Sequence, residues 1–77
     1  MTRQEFFTLL QKHRISAELV SFSPEFRDGY CVRKNRLRWE VFVRERGIEY
    51  DILGFPSESN ALQYLLDELI RIYGKPC

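Results

Sequence analysis

The residues best suited to chemistry in this 77-residue chain are two carboxylates, Glu40 and Asp51, on adjacent stretches of alternating sequence. Side chains on a strand change face at every residue, so both acids fall on one sheet face, where a carboxylate pair invites general acid–base work. Such work needs a cleft and surroundings that push the two pKa values apart. A flat face studded with arginines offers neither, so surface ion pairs of small energetic weight are the expectation. His13 has no nucleophile or carboxylate beside it in sequence and reads as a partly buried helix-end residue. Serine, histidine and aspartate occur without the strand–turn–helix setting of a nucleophile elbow. Gly29, Gly47, Gly54 and Gly74 are isolated turn or cap glycines, not a phosphate loop. Cys31 and Cys77, with one histidine, lack both zinc-ligand spacing and the pattern of a disulfide framework. The expectation is no enzyme, no metal and no cofactor, so function has to come from a surface.

That surface is organised by the stretch from Tyr30 to Leu53, which reads as three β-strands joined by tight turns. On the middle strand Leu37, Trp39, Val41 and Val43 point one way and Arg38, Glu40, Phe42 and Arg44 the other. A two-residue turn at Arg46-Gly47 sets Val43 against Tyr50, Val41 against Ile52, Arg44 against Glu49 and Phe42 against Asp51. A turn at Asn35-Arg36 sets Val32 against Trp39 and Tyr30 against Val41. Both hairpins then bury the same face.

The flanks read as helices. Thr2-Arg3-Gln4-Glu5 matches a capping box and opens a helix running to about His13. Ser57 caps a second helix, Ser57 to Tyr73, whose stripe of Ala61, Leu62, Leu65, Leu66, Leu69, Ile70 and Tyr73 has helical spacing; Gly74-Lys75-Pro76 stops it. Between the first helix and the sheet, Ile15 to Arg27 reads as an extended connector broken at Pro24, packing Leu19, Phe22 and Phe26 against the core. A short edge strand near Leu19 is an option. The whole is a single α+β domain, residues 1–77: helix, three-stranded antiparallel β-meander, helix, with both helices on the face of Tyr30, Val32, Trp39, Val41, Val43, Tyr50 and Ile52.

Composition bounds the partners. Hydrophobic residues make up 44% of the chain and aromatics 14%, enough for one small core and against disorder. No apolar run reaches the roughly 20 residues of a membrane span, and the N-terminus is too polar for a signal peptide; a cytoplasmic location is expected. A net charge of +1 argues against nucleic-acid or membrane binding by bulk charge. Charge is nonetheless uneven. Arg27 to Arg46 holds seven basic residues against three acids, whereas Gly47 to Ile70 holds five acids and no Lys or Arg.

Two binding uses of the charged face follow. Arg33, Arg38, Phe42 and Arg44 resemble the basic and aromatic platform of single-strand binders, but Glu40, Glu49 and Asp51 on the same face would repel phosphates. A protein contact uses all of these residues: Phe42 at the centre, with Arg38, Glu40, Arg44, Glu49, Asp51 and Leu53 around it. The alternative is that Phe42 is a lone surface residue or is covered by the Leu19–Phe22 connector.

The run Trp39-x-Val41-x-Val43-x-Glu45-Arg46-Gly47, followed by Asp51-x-Leu53-x-Phe55-x-x-Glu58-x-x-Ala61-x-x-x-Leu65-Leu66, resembles the small immunity proteins of bacterial polymorphic-toxin and contact-dependent growth inhibition systems. The N-terminal helix and tyrosine-bearing first strand extend that likeness over most of the chain. The resemblance implies a non-enzymatic inhibitor that binds the C-terminal domain of one cognate toxin, often a nuclease, inside the producing cell. It carries over no fixed inhibitory residues. A small nucleic-acid-binding regulator is the other expectation.

Overall fold

The computed structural model describes residues 1–23 and 25–74. Pro24, Lys75, Pro76 and Cys77, which figured in the sequence reading, lie outside them. Helix α1 (Arg3–Lys12) opens with the expected capping box: Thr2 Oγ1 accepts from the Glu5 amide, and the Glu5 carboxylate accepts from the Thr2 amide. His13 caps its other end and is half-buried. A 3-10 turn (Ala17–Leu19) leads into β1 (Val20–Phe22), then come β2 (Gly29–Asn35), β3 (Arg38–Glu45), β4 (Ile48–Phe55) and α2 (Glu58–Tyr73). Ser57 Oγ caps α2 by accepting from the Asn60 amide.

The sheet has four strands in the order β1-β2-β3-β4, not three. The antiparallel meander is present as β2-β3-β4, and β1 adds to it in parallel. Parallel neighbours ordinarily need a crossover of a dozen or more residues. Here β1 is only three residues long, so the six residues between Phe22 and Gly29 suffice to bring the chain back to its start. The optional edge strand near Leu19 is therefore real; its buried members are Val20 and Ser21, and Leu19 and Phe22 pack against the core as expected.

One core forms on one face of the sheet. Phe6 and Leu10 of α1, Ile15, Val20, Val32 and Val41 of the connector and sheet, and Ala61, Leu62, Leu65, Leu66 and Leu69 of α2 make it up. Both helices thus cover the same side, as the apolar alternation requires. Among the described residues no helix is long and apolar enough to cross a membrane.

Two details of register differ from the sequence reading. The β2–β3 turn falls at Arg36-Leu37, so Val32 pairs with Val41 and Tyr30 with Val43. The shift is two residues in pairing, which preserves every face. It places Leu37 at the tip, 96% exposed, instead of on the apolar face. The β3–β4 turn is where it was expected, at Arg46-Gly47, with φ of 53° and 81°, values that suit glycine at the second position. Pairing runs as expected through Val43–Tyr50 and Arg44–Glu49, then a bulge intervenes. Asp51 adopts φ 53°, and the extra residue sets Val41 against Leu53 rather than Ile52. Tyr50 and Ile52, expected in the core, remain 46% and 45% exposed because β4 is the sheet edge.

Candidate functional site

The helix-free face of the sheet collects five of the seven residues singled out from sequence for a protein contact. Arg38, Glu40, Phe42 and Arg44 lie along β3, and Glu49 reaches the face from β4 opposite Arg44. Asp51 and Leu53 do not join them. The bulge turns Asp51 away and sets Leu53 against core-facing Val41, so both line a groove between β4 and α2.

Phe42 and Glu40 are not exposed as expected; they are 1% and 2% accessible. The cover comes from two sources. The connector after β1 crosses this face, and Phe26 stands edge-on to Phe42 with ring centroids 5.3 Å apart. Phe26 therefore serves the face opposite the core it was expected to join. Arg33, from β2, lays its guanidinium 4.5 Å from the centre of the Phe42 ring. The connector is tied down by hydrogen bonds. Arg44 Nη1 donates to the Phe26 carbonyl (2.6 Å), the Arg27 amide donates to Ser21 Oγ (3.1 Å), and the Arg46 amide donates to Asp28 Oδ2 (3.3 Å). Beneath it Cys31 is a buried free thiol, within 3.4 Å of Ser21 Oγ; burial pushes its pKa up.

Glu40 organises the polar part. Its Oε1 accepts from Arg33 Nε and its Oε2 from Arg38 Nη2, both at 2.8 Å. Arg33 continues across β3 and places Nη1 2.9 and 3.0 Å from the two Glu49 oxygens. The Arg33 bond holds the Glu40 carboxyl below its ordinary pKa against the opposing effect of burial, and the Arg38 bond adds to it. The Arg33 guanidinium is in turn raised, chiefly by Glu40. The 60% exposed Arg38 side chain lies over Gly54, where an added Cβ would meet its guanidinium and Cδ at 3.1–3.3 Å. A bare backbone at position 54 is what lets Arg38 lie flat across β4.

Among the described residues no group of three or more His, Cys, Asp or Glu side chains is placed to hold a metal. What the face can do is present fixed donors. Arg33 and Arg38 are held by a carboxylate that solvent barely reaches, so their guanidinium positions are set before any partner arrives.

Arg33 and Phe26 were missing from the residues picked for a protein contact. A signal for Arg33 was available. A turn at Asn35-Arg36 sets Arg33 directly opposite Arg38, a like-charge pair, whereas the observed register sets it against Glu40. Gly54 inside a strand was a second signal, since such a glycine often marks a close approach. Nothing local points to Phe26, whose place depends on the path of the connector. Compared with protein-family models, with curated proteins and with solved structures, the chain matches none.

Proposed function

We propose that this chain is a non-enzymatic immunity protein that binds the C-terminal domain of a cognate bacterial toxin through the helix-free face of its sheet. The observation that carries this reading is the buried Glu40 with a guanidinium on each oxygen. Long arginine side chains ordinarily lose rotamer freedom on binding, at roughly 0.5–1.5 kcal/mol each. Here that ordering is built into the free protein, which favours a tight, shape-specific protein contact. The likeness of the Trp39–Leu66 run to small immunity proteins supplies the partner class. Phe42 offers no ring face for base stacking, because Phe26 and Arg33 occupy its surroundings. That favours a protein partner over a nucleic acid.

The test is a pull-down of the tagged protein from cells that carry it, washed in high salt and read by mass spectrometry. One stoichiometric partner bearing a toxin-like C-terminal domain, absent when Arg38→Glu is the bait, is the expected result. RNA or DNA that elutes progressively with salt would replace this reading with a nucleic-acid regulator.

A further inference from the structure

Neither outer strand follows the central hairpin to its end. β1 pairs with β2 only as far as Val32, and β4 pairs with β3 only as far as Trp39. Past those points β2 and β3 run on with each other alone, through Asn35–Arg38, to the turn at Arg36-Leu37. The tip is a two-stranded ribbon on which every residue from Lys34 to Arg38 is exposed. It carries three cations, Lys34, Arg36 and Arg38, and no acid. Among the described residues only Arg38 of the three has an acidic partner, Glu40. At the apex Leu37 is 96% exposed, whereas no other large apolar residue among the described ones exceeds 56%. Arg36 beside it holds φ 58°, a left-handed conformation that glycine takes freely and arginine does not. A backbone cost and a fully exposed leucine thus fall on adjacent residues, and backbone costs of this kind cluster where a ligand is clamped.

Resting on the immunity reading, we infer that this tip leads the contact: Leu37 and Arg36 enter a carboxylate-lined cleft of the toxin domain. Three features select that partner chemistry. Arg38 belongs both to the tip and to the helix-free face, so the tip continues the same surface. Two strands about 4.8 Å apart make a ribbon on the order of 10 Å wide, narrow enough for a recess that the whole sheet could not enter. Three cations in five residues call for an acidic lining, and complementary charge also speeds the encounter.

Leu37 separates a protein cleft from the other anionic surfaces. A phosphate backbone would accept the cations but offer Leu37 no apolar surface, and Glu40 and Glu49 just behind the tip repel phosphates. A bilayer is the poorer match too, because even a whole myristoyl chain gives only marginal membrane binding. A cleft with carboxylate walls and an apolar floor uses both features, and full burial of a leucine raises affinity about 10-fold or more.

The test compares the affinity of the captured toxin domain for wild type, Leu37→Ala and Arg36→Gly. Neither substitution threatens the fold, since Leu37 has almost no contacts to lose and glycine accepts φ 58°; unchanged melting temperatures verify this. Each variant should bind about 10-fold or more weakly, with Arg36→Gly losing mainly association rate. Photoreactive benzoylphenylalanine in place of Leu37 should cross-link to a toxin segment rich in Asp and Glu. Both variants binding as tightly as wild type, while Arg38→Glu still abolishes capture, would overturn the role of the tip and leave the immunity reading standing. A wild type that captures no toxin domain ends both. RNA or DNA that Arg36→Gly releases and Leu37→Ala retains would give the tip to a nucleic acid instead.

Discussion

Glu40 is the residue on which the helix-free face depends. A carboxylate 2% exposed survives in its ionised form only because Arg33 and Arg38 satisfy both oxygens. Removing one partner of a buried pair is costlier than neutralising the acid itself. Arg33→Ala strands the carboxylate with a single, exposed partner and is expected to cost about 3–5 kcal/mol. Glu40→Gln keeps the volume and is expected to cost about 1–3 kcal/mol. Urea denaturation of the two variants checks the order, and equal costs would show that Glu40 is not the anchor. The pH dependence has a definite sign. The folded pKa of Glu40 lies below its ordinary 4.5, so its contribution is complete above that value and fades as pH falls through the folded value. The stability gap between wild type and Glu40→Gln should therefore close on acidification. A gap that is unchanged between about pH 7 and about pH 3 would contradict the geometry. Phe42→Ala, at a site 1% exposed, should cost about 3–5 kcal/mol, so it is a probe of folding and not of binding.

Among the elements, β3 and β4 place the arginines, and Gly54 is the point where a small change can move them. Gly54→Val adds a side chain where Arg38 now lies, with the first carbon 3.1–3.3 Å from it. A β-branched residue suits a strand, so the melting temperature should hold while affinity for the captured toxin domain falls about 10-fold or more. A variant that binds like wild type would take Arg38 out of the interface. Both helices and the three meander strands were legible in the sequence because each is specified locally: a capping box, a stripe at helical spacing, strict alternation, Arg46-Gly47 in a turn. What escaped is what depends on distant chain. The bulge arises at Asp51, a residue with nothing in its type to demand φ 53°, and it separates Asp51 and Leu53 from the other five candidate residues. Burial of Phe42 depends on a connector that folds back over the sheet, and alternation alone assigns Phe42 to a face without saying what covers that face.

At the scale of the molecule, the arginine face is one side of a thin domain, 38 × 27 × 19 Å, and it reaches across β4 where Arg38 lies over Gly54. The central claim is that the face ordered by Glu40 is the one that meets the partner. Titrating the captured toxin domain into ¹⁵N-labelled protein and following the arginine side-chain Nε–H signals tests it most directly. The signals of Arg33 and Arg38 should shift or broaden on binding, while Arg71, paired with Glu68 beside the groove between β4 and α2, stays put. Perturbation of Arg71 with Arg33 and Arg38 unmoved would place the contact on the helical side and contradict the account.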